Sequence, residues 1–373
     1  MMDLPPAIVT EADVPSYSLP SLLSREAMIG QLESTIYGVL SETAVTLKTT
    51  IIDAGLLAGS PGVVREQWNV DVSNGATTVS FGLAVFLPSE SDQPVPLFLG
   101  LNFKGNGSVH SDPALILPPD AQRGVRVRRW PVEMIVERGY GLATIFYYDL
   151  APDEPDQWRD GLARLWPTDQ GVDPPGAVAA WAWGLSLARQ VLAADARIDP
   201  DRLAVIGHSR LGKAALWAGA CDPGFALVVS NDSGCGGAAL SRRRFGERLL
   251  HINTRFPHWF TPVFATYNER EAELPVDQHQ LLAAIAPRPL YVASAEEDLW
   301  ADPRGEYLAL KAAGPAWGRE LPDEPPPVAG SLVAGPLGYH CRPGPHDLTQ
   351  EDWNHYLDFA DTVMAAPGNI PRD

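Results

Sequence analysis

One stretch constrains the fold more than any other, Arg202 to Ala218, R-L-A-V-I-G-H-S-R-L-G-K-A-A-L-W-A. Residues 203–206 form a short apolar run with β-branched residues, bounded by Asp201 and Gly207, and read as a buried strand. Residues 211–220 are rich in Ala and Leu and read as a helix. Ser209 therefore falls on the turn between them, with Gly207 and Gly212 on either side. A serine on a sharp strand-to-helix turn beside small residues is the arrangement of a nucleophile elbow. Glycines serve there because the turn is strained and backbones pass close to one another. The Arg210 N–H, at the helix N-terminus, would face the same pocket and stabilise an oxyanion. The spacing, Gly207-x-Ser209-x-x-Gly212, is one residue longer than the usual G-x-S-x-G. A glycine-rich turn with a capping serine is the alternative for the same residues.

Around this unit the chain alternates strands and helices. Residues 68–73 and 77–87 alternate and are joined by Asn74-Gly75, a hairpin signal. Further strands are expected at 95–101, at 140–147 ahead of an acidic loop 149–160, at 225–229, at 288–294 and, more weakly, at 332–337. An apolar helix over 176–194 precedes the elbow strand, and an amphipathic helix over 351–364 closes the chain. An antiparallel start followed by this alternation implies an α/β class, one mostly parallel sheet with helices on both faces. Residues 1–60, with several prolines and a weakly helical piece at 24–37, read as an N-terminal wrap, and 61–373 as a single catalytic domain. The Pro- and Gly-rich stretch 314–338 reads as a long loop of the kind that lies over a site.

Composition excludes several functions. The 373 residues are 45% hydrophobic, ample for a large core. A formal net charge of −18 leaves no basic footprint for nucleic acid and disfavours an acidic membrane surface. No apolar run reaches the ~18 residues of a membrane helix. The first residues lack the basic and apolar regions of a signal peptide, so a soluble chain is expected. Cys221, Cys235 and Cys341 make no disulfide framework. At most one pair would form, Cys235 with Cys341, and reduced thiols are expected. Neither an H-E-x-x-H pattern nor a G-x-x-x-x-G-K-[ST] loop is present, so neither a metal nor another cofactor is expected.

A serine nucleophile needs a base and a group that orients the base, in the chain order Ser, acid, His. Among the downstream histidines, His346 lies in R-P-G-P-H-D-L-T, a turn-rich loop between the last strand and the last helix, where a base reaches over the sheet edge. His340 is the second choice, and His355 sits within a helical pattern. Two acids are candidates: Asp232 in S-N-D-S-G-C-G-G and Asp298 in A-S-A-E-E-D-L-W, each at a strand end. Either would hold the imidazole tautomer and stabilise its cation, and both also suit turn or capping roles.

Several separated motifs agree in order and spacing with one family: G-H-S-R-L-G-K at 207–213, N-D-S-G-C-G-G-A at 231–238, R-F-P-H-W-F at 255–260, L-P-V-D-Q-H at 274–279 and D-L-W at 298–300. Over roughly residues 60–365 the chain resembles the glucuronoyl esterases of carbohydrate esterase family 15, most of all their bacterial branch. The resemblance implies an α/β-hydrolase fold, no metal, and hydrolysis of esters joining (4-O-methyl-)glucuronic acid of glucuronoxylan to lignin alcohols. By it, Ser209 attacks the ester carbonyl, His346 acts as base and then acid, and Arg210 faces the oxyanion with backbone N–H groups. Lys213 and Glu247 match positions that hydrogen-bond the sugar, and Trp300 matches a tryptophan at the sugar's edge. Without the resemblance, Arg210 and Lys213 would read as solvated charges, Glu247 as half of a surface ion pair and Trp300 as a packing residue.

The sequence departs from the family in two places. Many members carry a glutamate where this chain has Asp232, one methylene shorter, and the choice of acid leans to Asp298. Fungal members bridge two cysteines where this chain has His208 and Asp347. The expected function is thus a serine carboxylesterase acting on glucuronoyl esters through an acyl-enzyme. A carbohydrate deacetylase such as an acetylxylan esterase is the alternative, and a catalytically silent binding protein a third. A monomer is expected, and the substrate implies a periplasmic or secreted enzyme.

Overall fold

The computed structural model describes residues 6–39, 44–167 and 175–365. Among them, ten strands form one sheet: β1 (Thr46–Leu57), β2 (Ser60–Ser73), β3 (Thr78–Pro88), β4 (Val95–Asn102), β5 (Gly141–Phe146), β6 (Ile198–His208), β7 (Leu227–Asn231), β8 (Leu290–Ala295), β9 (Ser331–Ala334) and β10 (Leu337–Arg342). Their order is β1-β2-β3-β5-β4-β6-β7-β8-β10-β9. The run from β5 to β10 is parallel, and the first three strands and β9 are antiparallel to their neighbours.

The strand sequences explain this order. Every residue of β4 is buried, as in a strand covered on both faces. Its side chains divide by a period of two. Leu97, Leu99 and Leu101 join one core with Val205, Val228 and Trp181, while Phe98 joins the other with Ile206, Val229 and Trp353. The first core is capped by the helices Ala177–Ala193 and Arg210–Cys221, the second by Val132–Glu137 and Gln350–Val363. Trp181, Trp217 and Trp353 are fully buried, each contributing on the order of 2–3 kcal/mol by removal from water.

The α/β class expected from the sequence is the one observed, with differences in detail. At the expected hairpin, Asn74 Oδ1 accepts the Thr77 N–H at 2.8 Å and Gly75 takes a φ of 89°, so four residues separate the strands. The region read as a wrap contributes the helix Arg25–Leu32 and the edge strand β1. Tyr37 then docks on the body, its ring 4.5 Å from that of Trp217 and its hydroxyl donating to the Gly236 carbonyl at 3.0 Å. The weak strand expected at 332–337 is present as β9, which ends at Ala334 and turns at 335–336 into β10. The strand beside β8 carries His340, Cys341 and Arg342, whose polarity hid it. Residues 314–338 do not line the cavity around Ser209. Ion pairs from Arg304 to Glu324 and Lys311 to Asp323 hold that stretch against the helix Pro303–Ala313 instead. No helix among the described residues is long and apolar enough to cross a membrane.

Candidate active site

Ser209 sits between β6 and the helix Arg210–Cys221 with φ 60° and ψ −131°, a strained conformation for a residue with a Cβ. The displaced second glycine has a steric reason. A Cβ on Gly207 would lie 2.0 Å from the Leu211 carbonyl oxygen, and one on Gly212 would lie 2.9 Å from Ser233 Cβ and 3.0 Å from the Gly207 carbonyl oxygen. The two glycines thus let the turn fold onto itself and let the helix start pass the end of β7.

Ser209 opens into a cavity of about 350 Å³ at the carboxyl ends of the parallel strands, the crevice where open α/β sheets bind ligands. Its lining includes Arg210, Lys213, Asp232, Glu247, Asp298, Trp300 and His346. All eight site residues expected from the sequence therefore meet in one place.

His346 Nδ1 is 2.5 Å from Asp298 Oδ2. The imidazole is 40% exposed and the carboxylate 7%, so the acid is seated under the ring while the ring faces the cavity. Asp232 is placed differently. Its side chain is wholly buried, accepts no hydrogen bond, and has Arg342 3.6 Å and His208 3.9 Å away. Burial, with Glu306 and Asp298 nearby, pushes its carboxyl well above the usual range. Asp232, Asp298 and His346 bring potential ligand atoms within 4.8 Å of one another. The Arg342 guanidinium already faces this cluster, and a bound cation would sit against it. His340, the second choice for the base, is buried in β10 between the Tyr291 hydroxyl (3.1 Å) and Asp352 (2.9 Å). His355 stacks on it at 4.3 Å.

His208 is buried, with Nδ1 2.6 Å from Asn231 Oδ1 and its ring 4.5 Å from that of His346. Burial and the neighbouring His346 push its pKa well down, so it backs the exposed imidazole as a neutral ring. Cys221, Cys235 and Cys341 are free thiols.

Arg210 is held on two sides. Its guanidinium lies 4.7 Å from the ring centre of Trp259 and 5.1 Å from that of Phe256, and these two rings stack at 3.8 Å. Its Nη1 pairs with Asp153. Asp153 also accepts from His258 Nε2 (2.8 Å), Trp259 Nε1 (2.7 Å) and the Tyr147 hydroxyl (3.2 Å). Burial alone would raise the Asp153 carboxyl, but these donors and the Arg210 charge outweigh it and hold it below the usual value. The sequence reading passed over Asp153 as one member of an acidic loop. Its signal was its place just past the carboxyl end of β5, beside the ligand crevice.

Lys213 is buried and donates to the Ser233 carbonyl at 2.5 Å. Burial lowers its pKa, while the nearby Glu247 opposes that shift. Glu247 is raised by burial and restrained by Lys213 and a hydrogen bond from Trp300. Trp300 is 43% exposed at the cavity edge. Of the motifs that carried the resemblance, 274–279 stands outside the cavity. Asp277 there accepts backbone N–H groups of Ser241 (2.8 Å) and Arg242 (3.1 Å), and His279 meets the Pro20 carbonyl at 2.9 Å.

Comparison with known proteins points to one family. Residues 135–319 match the family model described as glucuronyl esterase, fungi. The chain is 40% identical to a carbohydrate esterase, MZ0003, from an unknown prokaryotic organism, over 95% of this chain and 91% of that one. A solved glucuronoyl esterase from Solibacter usitatus is 38% identical with a TM-score of 0.86, covering 94% of this chain and 99% of that one. A glucuronoyl esterase of carbohydrate esterase family 15 from Teredinibacter turnerae is 30% identical with a TM-score of 0.80, covering 98% and 94%.

Proposed function

The chain belongs to the glucuronoyl esterases of carbohydrate esterase family 15 and is a carboxylic ester hydrolase, and on that premise we propose that it cleaves esters of (4-O-methyl-)glucuronic acid with lignin-type alcohols through an acyl-enzyme on Ser209. In this reading His346 takes the Ser209 proton and later returns it to the leaving alcohol. Asp298 fixes the tautomer and offsets the imidazolium charge. The oxyanion forms opposite the Arg210 guanidinium, whose seat on Phe256, Trp259 and Asp153 lets it stabilise charge without first reorganising. Lys213, Glu247 and Trp300 line the sugar side, a cation–carboxylate pair and an indole suited to hydroxyl groups and an apolar ring face. Asp232 stands behind His346 as a buried acid that faces Arg342 without accepting a hydrogen bond, and is left without a direct step. In this reading the enzyme acts as a monomer, and a cell-wall substrate places it in the periplasm or outside the cell.

The observation that carries this reading is the convergence of Ser209, His346 and Asp298 with Arg210, Lys213 and Glu247 in one cavity. A simple deacetylase would give no reason for a buried Lys213 with Glu247 nearby in the same cavity. The test is hydrolysis of benzyl glucuronate against an acetylated xylo-oligosaccharide by the wild type and Ser209→Ala. Glucuronate cleavage that is lost in the alanine variant supports the reading. Acetate release alone would leave a deacetylase, and activity on neither would leave a silent binding protein.

A further inference from the structure

His346 stands on Pro343-Gly344-Pro345-His346-Asp347, a segment poorly able to hold itself. Pro343 and Pro345 have no N–H to donate, and Gly344 takes a φ of 94°. The segment's carbonyls must therefore find donors elsewhere. Glu297 supplies one, its N–H reaching the Gly344 carbonyl at 3.1 Å. The other contacts converge on one side chain. Arg342, the last residue of β10, donates from Nη1 to the Pro343 carbonyl at 3.0 Å, and from Nη2 to the Pro345 and Asp347 carbonyls, each at 2.7 Å. Its Nε meets Asp352 Oδ2 at 3.1 Å, and Asp352 also accepts from the Thr349 N–H at 2.7 Å and pairs with His340 at 2.9 Å. The fork is thus fixed against the start of the closing helix before it grips the segment. The side chain is 3% exposed, so these are contacts in a desolvated site. A second tie, Arg129 Nε to Asp347 Oδ1 at 2.6 Å, lies at the rim with the carboxylate 43% exposed, where screening weakens it.

We propose that Arg342 is a positioning residue for His346, setting where the imidazole stands relative to Ser209 by gripping the backbone on both sides of it. The proposal rests on the reading of His346 as the base. Its geometry needs arginine: a planar fork with five donors reaches three carbonyls and a carboxylate at once, whereas lysine offers one point of attachment. The role is distinct from that of Asp298, which orients the ring from its own atoms. Arg342 acts on the loop that carries the ring.

The test is steady-state hydrolysis of benzyl glucuronate by Arg342→Lys and Arg342→Ala, alongside the wild type and His346→Ala, with thermal unfolding of each. A misplacement of about 1 Å costs on the order of 10²-fold in rate. Both arginine variants are expected to lose kcat by about that factor with KM within twofold, and added guanidinium ion is expected to restore part of the loss in Arg342→Ala. Folded Arg342→Lys with kcat within threefold of the wild type overturns the proposal and leaves His346 as the base. Retained activity in His346→Ala overturns both. Removing Arg342 also strips charge from Asp232 and Asp352, which can cost the fold. In that event Asp352→Ala, which removes the acceptor that holds Nε, carries the same test: a loss of kcat at unchanged KM in the folded variant supports the proposal, and wild-type kcat overturns it.

Discussion

Replacing Asp153 with asparagine tests how the oxyanion-facing cation is held. The carboxylate accepts from four groups, His258, Trp259 and Tyr147 besides Arg210. An asparagine keeps the shape but turns one acceptor atom into a donor, which must face either Arg210 and Tyr147 or His258 and Trp259. Hydrogen bonds to a charged group are worth about 1.5–3 kcal/mol. The Arg210 side chain is 28% exposed, so solvent takes back part of that value. A stability loss of about 2 kcal/mol is expected by urea denaturation. Removing a donor from an oxyanion site costs on the order of 10²–10³-fold in kcat. Asp153→Asn leaves Arg210 in place but loosens it, so a 10- to 100-fold loss is expected, about 1.4–2.7 kcal/mol at the transition state. The assay is a double-mutant cycle in kcat/KM on benzyl glucuronate with Arg210→Met. Asp153 acting through Arg210 makes the double variant no slower than Arg210→Met alone. Additive losses, or wild-type kcat in Asp153→Asn, would refute the argument.

Other consequences are as open to measurement. Asp298→Asn removes the partner that fixes the His346 tautomer and is expected to cost about 10³–10⁴-fold in kcat, while Asp232→Asn stays within about tenfold; the reverse ranking in single-turnover kinetics would move the acid to Asp232. Gly207→Ala places a Cβ 2.0 Å from the Leu211 carbonyl oxygen, and a loss of roughly 3 kcal/mol or more is expected on denaturation. Burial pushes Glu306 up to about 8, above the ~4.3 of an unfolded chain. The folded state then keeps a proton that the unfolded one gives up, so this group's stabilisation is full below ~4.3 and is lost as pH rises through 8. The stability difference between wild type and Glu306→Gln should shift against the wild type between pH 6 and 8.5, by at most ~1.4 kcal/mol per unit; parallel curves in urea titrations would contradict the assignment.

Local chemistry explains which parts were legible in the sequence. The elbow could be read because much of its demand is local: Gly207 answers a clash with Leu211, four positions on, while Gly212 meets both Gly207 and the more distant Ser233. The buried parallel strands could be read because β4 and β6 show unbroken apolar runs. Strand β10 could not, since His340 and Arg342 are buried by pairing with Tyr291 and Asp352, not by being apolar. Strand β1 was hidden because most of its residues face solvent at the sheet edge, and burial alternates only over its last five residues, 53–57. Asp153 and Arg342 have no sequence signature of their function. Each acts on a group that the fold brings from elsewhere, Arg210 in one case and the backbone around His346 in the other. Lys213 and Glu247 read alone as solvated charges, and the fold encloses them.

The chain has four lysines, and the one at the site, Lys213, is buried with its amine held by Ser233. Lys48 on the edge strand and Lys104 are exposed, and Lys311 is tied to Asp323. Amine-directed coupling to a solid support would therefore proceed through surface amines such as Lys48 on the edge strand and leave the pocket's own amine unmodified.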